Sequence, residues 1–356
     1  MDKKTDAEQS ANNMPSEIVD EHPKHADAAP RLPFSKWWPF VGGVLAGVAL
    51  RLVFSQKPGN PYTAMAASFI YLGPFFVGAV TVYLAERIQR RTWGYYLWAS
   101  FLANVVFVAG TLVIMIEGWI CAILILPLFG AIGAVGGLIM GIVCRVTKWP
   151  KHTIYGIGIL PLLLASLEPH VPLPERVRVV ERSVTIDAAP STVWKQIHNA
   201  RDIKADEVEQ AWAYRIGVPM PLAGITERTS TGLVRKITMG KNVHFDQVVV
   251  DWQENQYVRW TYRFYEDSFP PNALDDHVKI GGRYFDLQET SYTLTPSGNR
   301  TELKIRMQYR VSTQFNWYAE PIAQALLSNV EEVILAFYRR RSESIRAVIA
   351  VPQASS

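Results

Sequence analysis

The stretch Asn316-Trp-Tyr-Ala-Glu-Pro-Ile-Ala-Gln-Ala-Leu-Leu-Ser-Asn-Val-Glu-Glu-Val-Ile-Leu-Ala-Phe337 decides how the C-terminal half folds. Ile322, Leu326, Val330, Val333 and Phe337 recur at three- and four-residue steps, which draws one apolar stripe along a helix. The segment Thr313 to Val348 predicts a single long helix with Asn316 as its N-cap. Glu331, Glu332, Arg339, Arg340 and Arg341 fall mostly off the stripe. A stripe of this length must lie on apolar surface. Either it packs on its own domain's sheet, or it closes a cavity over that sheet.

The strands before it alternate. Between Thr301 and Val311, Leu303, Ile305, Met307, Tyr309 and Val311 face one way, and Glu302, Lys304, Arg306, Gln308 and Arg310 the other. Between Tyr257 and Tyr265, Val258, Trp260, Tyr262 and Phe264 share a face. One-sided strands of this kind belong to antiparallel sheets with one wet face. Further strands are expected at Val177–Ile186, Leu222–Arg228, Leu233–Thr238, Val243–Trp252 and Glu289–Leu294. Asn255-Gln256 and Ser297-Gly298-Asn299 supply turn chemistry. Asp187-Ala-Ala-Pro190 breaks the first strand and opens a helix carrying Val193, Trp194 and Ile197. A second short helix is expected around Ala205 to Tyr214. Strand, two helices, antiparallel strands and one long final helix make an α+β domain.

The opening Glu181-Arg-Ser-Val-Thr-Ile-Asp-Ala-Ala-Pro-Ser-Thr-Val-Trp194 resembles that of the SRPBCC superfamily, the START-related helix-grip proteins that include polyketide cyclases and lipid-transfer proteins. Phe245-Asp-Gln-Val-Val-Val-Asp-Trp252, followed by Val258-Arg-Trp260, resembles the family's middle strands. The resemblance covers residues 177 to 348. It implies a curved antiparallel sheet around the final helix, with an apolar cavity between. On that pattern the ligand-binding wall is Trp260, Tyr262, Phe264, Tyr292, Leu294, Met307 and Tyr309, with Ile322, Leu326 and Val330 from the helix. Each of these residue types also suits a solid core. The opening motif carries no catalytic residue, so it speaks for fold and not for activity.

Ser268 to Leu287 interrupts the strands. It holds Asp275, Asp276 and His277, and a Gly281-Gly282 pair suited to a tight turn or hinge. A lid over the cavity mouth is one reading, and a solvated loop is the plainer one. No nucleophile elbow, phosphate loop or metal-spaced cluster is present in the sequence, so neither a metal nor a cofactor is expected.

The N-terminal half has a different character. Met1 to Pro33 is polar and mixed in charge, and reads as disordered. His22 and His25 are taken as tail residues rather than metal ligands. Long apolar runs follow at Trp37–Phe54, Tyr62–Ala85, Trp93–Ile116 and Trp119–Val143, each near the ~20 residues that cross a bilayer. A fifth run, Ile154 to Leu167, is short and carries Pro161, so it either spans or is re-entrant. Trp37 and Trp38 suit an interfacial anchor, Arg51 suits snorkelling, and Pro74 suits a kink. Gly133, Gly137 and Gly141, like Gly43 and Gly47, are spaced for close helix contact within the chain. No ionisable pair reads across the spans, and Asn104 is the strongly polar side chain of the third. The resulting plan is a polar tail over 1–35, a transmembrane bundle over 36–168, a linker over 169–176 and a ligand-binding domain over 177–350.

Arg87, Arg90 and Arg91 fall between the second and third runs, and Arg145, Lys148 and Lys151 between the fourth and fifth. The positive-inside bias therefore sets the N-terminus in the cytoplasm. The C-terminal domain is then outside if the fifth run spans, which in a bacterial inner membrane means the periplasm. The net charge of +4 over 356 residues gives no nucleic-acid footprint. Cys121 and Cys144 sit in apolar runs and suggest neither disulfide nor metal. The expected function is binding or transport of a hydrophobic small molecule, a membrane lipid or another amphiphile, by an anchored domain. The alternatives are a cyclase- or hydrolase-like enzyme using Asp275, His277 or Tyr284, and a protein-interaction module. The oligomeric state is left open.

Overall fold

Apolar helices without polar faces bury themselves against one another. α1 (Trp38–Val53), α2 (Ala67–Ile88), α3 (Trp93–Val113), α4 (Trp119–Val146) and α5 (Lys151–Leu167) do so in one bundle. In the computed structural model of the chain, residues 37–147, 151–230 and 232–350 are described, without the side chains of 151–153 and 346–350. The N-terminal tail with His22 and His25, and Lys148, lie outside the described residues. α2, α3 and α4 are long and apolar enough to cross a membrane, and α1 and α5 are shorter. Exposed Leu45, Trp98, Leu102, Ile123, Val135 and Ile139 give the bundle an apolar outer surface.

Glycines set the closest approach. A Cβ on Gly78 of α2 would stand 2.0 Å from the Gly133 carbonyl oxygen of α4. One on Gly137 would stand 1.9 Å from Ser100 Oγ of α3, and one on Gly47 of α1 would meet Val77 and Phe107. The four-residue glycine spacing therefore serves contacts inside the chain. Asn104 donates to Pro74 O at 3.2 Å and Ser100 O at 2.9 Å, so its amide stays within the bundle.

Charges pair where none was expected to. Arg51 is 4 % exposed. It meets Glu117 at 2.6 Å and donates to the Phe54 carbonyl at 2.6 Å, so it does not snorkel. Sixty-six residues separate the partners, and only helix packing joins α1's end to the α3–α4 loop. At the opposite end, Tyr96 donates to Glu86 at 2.7 Å and accepts from Arg145 at 3.1 Å.

α5 runs back alongside α2, with Ile154 and Ile157 packed on the cluster of Val82 and Tyr83, and Ala165 in the cluster of Phe69 and Ile70. At its end the Glu168 carboxylate accepts from Ala67 N, from Ser68 N at 3.2 Å and from Ser68 Oγ at 2.8 Å. α2 has no side-chain cap of its own, so α5 delivers it.

Eight antiparallel strands follow: β1 (Glu175–Ile186), β2 (Asn199–Ala200), β3 (Pro221–Thr229), β4 (Gly232–Met239), β5 (His244–Gln253), β6 (Tyr257–Arg263), β7 (Phe285–Ser297) and β8 (Arg300–Ser312). They stand in the order β1-β8-β7-β6-β5-β4-β3-β2. α6 (Pro190–His198), α7 (Ala205–Val208) and α8 (Trp212–Arg215) cover one end, so the expected second helix is two short ones. α9 (Asn316–Ala350) lies along the inner face. Its Asn316 does not cap the helix. Asn316 Oδ1 accepts from Thr313 N at 2.8 Å, and its Nδ2 donates to Pro174 O at 2.6 Å, tying the linker to the helix start. Glu331 of α9 is fully buried and neither carboxylate oxygen has a partner. Burial pushes that carboxyl up to about 8.

Substituting Gly78→Ala should wedge α2 from α4, because the obstructing atoms are backbone. We expect a loss of ~1–3 kcal/mol, read as a lower thermal midpoint of the full chain in detergent. Gly110→Ala, which meets nothing within 4 Å, should leave it unchanged or higher.

Candidate ligand-binding cavity

The sheet's inner face and α9 do not close on each other completely. Between them lies a cavity of ≈ 380 Å³, and it continues into the end of the helical bundle. That size falls within the ~300–1,000 Å³ of small-molecule pockets. Tyr262, Tyr292 and Met307 line it from the sheet, and Ile322, Leu326 and Val330 from α9. Phe69 of α2, Val108 of α3, and Ile125 and Phe129 of α4 line its bundle end. The Arg51–Glu117 pair also borders it there.

The amino end of α9 joins the two parts. Phe315, just ahead of the helix, is buried in the bundle core with Phe69 and Phe129. Tyr318 donates to the Leu124 carbonyl of α4 at 2.6 Å, and the Trp317 indole donates to Tyr71 of α2 at 2.7 Å. The cavity of the sheet domain thus runs into the bundle at this end.

The ten residues expected on the wall divide. Tyr262, Tyr292, Met307, Ile322, Leu326 and Val330 reach the cavity. Trp260, Leu294 and Tyr309 do not, and belong to the solid core. For Trp260 and Leu294 the physical reason is that α6 and the later turns of α9 already cover that end of the sheet, whereas Tyr309 lies at the opposite end of β8, its ring 6.4 Å from that of Phe285. His198 of α6 stands 5.9 Å from the Trp260 ring and Tyr338 5.8 Å from Tyr292. Phe264 lies beyond the end of β6, against Phe245, Phe269 and Tyr262. Periodicity put these residues on one face, but it does not say which part of that face another element covers.

The polar groups inside are few. Tyr262 and Thr290 share a hydrogen bond of 2.6 Å. Arg235 of β4 donates to Gln247 Oε1 at 2.9 Å and to the Tyr338 hydroxyl at 3.0 Å. The sequence reading missed this arginine, although a signal was present: Leu233, Arg235, Ile237 and Met239 share one face, and the charged residue occupies an inward place. Burial, with Arg235 second, pulls the His198 imidazole down to about 4.

The insertion between β6 and β7 packs in part against the bundle, with Ala273 and Tyr284 buried and Asp276 exposed. Asp275 lies against the start of α4, where Cys121 N donates to it at 3.5 Å. A Cβ on Gly118 would collide with its carboxylate at 1.8 Å. Asp276 pairs with Lys279 at 2.8 Å. His277 reaches the cavity and faces Tyr284 across 6.2 Å. Gly281 adopts φ +74°, and a Cβ there would strike Phe264 at 2.4 Å, so only glycine fits. Gly282 closes the turn through its N–H to the carbonyls of Lys279 and Phe285. Among the described residues no group of three or more His, Cys, Asp and Glu is placed to hold a metal ion.

Several solved structures are similar to part of this chain. A START superfamily protein from Mycobacterium smegmatis matches at 17 % identity and TM-score 0.31, over 47 % of this chain and 98 % of its own. The Zhui aromatase/cyclase from a Streptomyces species matches at 13 % and 0.32, over 49 % and 100 %. The di-domain aromatase/cyclase StfQ of the steffimycin biosynthetic pathway matches at 11 % and 0.30, over 56 % and 62 %. In this chain the antiparallel sheet curls around α9 as a helix grip, and the helical bundle stands before it in the chain. No family model and no curated protein matches the chain.

His277 gives the insertion a pH dependence. Burial lowers its pKa from 6.5, with nearby Arg51 acting in the same sense and Glu117, Asp275 and Asp276 opposing. An undocked loop therefore binds the proton more readily, and docking weakens as pH falls below 6.5. Protection factors at 278–282, exchange corrected for its intrinsic slowing with falling pH, should drop between pH 7 and 5 in the parent and change little in His277→Gln. An equal drop in both would remove His277 as the cause.

Proposed function

We propose that the chain is a membrane-embedded binding or transfer protein for a lipid or other amphiphile, which passes between the bilayer and the helix-grip cavity through the bundle. The observation that supports this most is the single cavity lined by both Val108, Ile125 and Phe129 of the bundle and Leu326 and Val330 of α9. The bundle end of the cavity is lined by apolar helices, where a hydrocarbon chain is already at home. α2, α3 and α4 are long and apolar enough to cross, and α5 travels back alongside α2. The candidate ligand contacts are Tyr262, Tyr292, Met307, Ile322, Leu326 and Val330, with the docked insertion over one side.

Blocking the two halves of the cavity separately tests this. Leu326→Trp fills the domain section and Val108→Trp the bundle section. Overpacking a solid core costs ~1–3 kcal/mol, whereas filling an open space displaces its occupant instead. We expect each variant to lose most co-purifying lipid by mass spectrometry, with the melting point after delipidation nearly kept. With lipid present the parent should gain stability by mass action and the variants should not. Lipid bound to neither parent nor variant, with both variants unfolded, would make the space core and the domain an interaction module.

Orientation follows the same reading. Gly59 of the α1–α2 loop lies beside Arg283 and Gly118 of the α3–α4 loop beside Asp275, while Arg145 bonds the Arg91 carbonyl at the other end, where Arg87 and Arg90 also lie. Positive-inside then supports a cytoplasmic N-terminus and a C-terminal domain across the membrane. A periplasm-active reporter fused after Ser356 should be active in a bacterial host. Activity of a cytoplasm-only reporter at that position would reverse the orientation.

A further inference from the structure

Arg235 sits at the domain end of the cavity, 6 % exposed. Its guanidinium stays charged at any working pH, and a buried charge without a counter-ion is unfavourable. Among the described residues no ion pair includes it. Its strand neighbours are Thr226 and Gln247, neither of them acidic. Of the five N–H groups an arginine offers, one bonds Gln247 and one Tyr338, and Nε is buried without a partner.

The surroundings are built for this group. A Cβ on Gly224 of β3 would stand 2.6 Å from Nη2, so that glycine clears the seat. The Trp260 ring lies 5.4 Å from the guanidinium carbon and supports it. Gln247 and Tyr338 fix its plane while leaving donors free. His198, the nearby imidazole, is neutral at pH 7 and supplies no counter-charge. An arginine held in this way is a fork for a carboxylate or phosphate.

We propose that Arg235 binds the anionic head of the amphiphile, a carboxylate or phosphate, and that the chain of the ligand runs along α9 towards the bundle. This rests on the lipid-receiving reading of the cavity. Tyr338, beside Arg235, and Tyr318, bonded to α4, stand ~30 Å apart on one helix. Head and tail therefore have separate seats, charged at the domain end and apolar at the bundle end. An amphiphile rising from the bilayer head-first would reach Arg235 with its chain directed back along α9 towards the bundle end of the cavity.

The test uses the full chain in nanodiscs of neutral phosphatidylcholine at pH 8, titrated with oleate, oleyl phosphate and oleyl alcohol. Charge-assisted hydrogen bonds give an expected preference of about tenfold or more for the two anions over the alcohol. Arg235→Gln should reduce the anions to the level of the alcohol, and Tyr338→Phe should narrow the preference several-fold. Alcohol binding serves as the folding control for each variant. If Arg235→Gln does not fold, the parent's preference and Tyr338→Phe decide. Preference for oleate over oleyl phosphate, or the reverse, names the head. Millimolar inorganic phosphate should not compete, and competition by it would overturn the amphiphile in favour of a small-anion site. Equal binding of all three ligands by the parent, or an anion preference that survives in Arg235→Gln, would overturn the role of Arg235 while leaving the cavity reading intact. Binding of none of the three would overturn the cavity reading itself.

Discussion

The amino end of α9 is shared between two apolar cores, and the rest of the molecule is arranged around that sharing. Phe315 is buried with the aromatic side chains of α2 and α4. A few residues later Ile322 and Leu326 face the cavity, and Leu327 and Val333 are packed against the sheet. One rigid helix cannot be lifted from the bundle without disturbing the sheet domain. Because the helix foot occupies the bundle, the cavity of the helix grip extends among bundle side chains.

Apolar burial supplies most of the attraction at this junction, but it has no direction and would allow sliding. Direction comes from a few polar fastenings around the apolar shaft. Tyr318 to Leu124, Trp317 to Tyr71 and Asn316 to Pro174 hold α9. Glu168 bonds the start of α2, and Asp275 the start of α4. A helix start presents unsatisfied N–H groups and the positive end of its dipole, so a carboxylate suits both places. The Arg51–Glu117 pair adds a buried charge contact whose loss on one side would strand the other ion.

The insertion changes character in this setting. Seen as a sequence, Asp275, Asp276 and His277 suggest acid–base chemistry or a solvated turn. In the fold the three side chains diverge, one to α4, one to Lys279 and one to the cavity. The polar cluster that does form, Arg235 with Gln247 and Tyr338, joins residues 103 positions apart and has no local signature as a set.

The sequence by itself determined the elements. Hydrophobic period two marked β6 and β8, period 3.6 marked α9, and unbroken apolar runs marked α2, α3 and α4, because each of these is a local consequence of which side chains must leave water. The glycine ladder was legible for the same reason, since small residues at one spacing admit a neighbouring backbone. The tertiary structure alone decided which part of the inner face stayed open. Trp260 and Tyr262 are two residues apart on one face of β6, yet one is packed under α6 and the other reaches the cavity. It also decided that Arg51 meets Glu117, that α5 returns to cap α2, and that the cavity has a floor of apolar helices. Such facts depend on where one element ends against another, and contacts between residues far apart in the chain leave no period in the sequence to read.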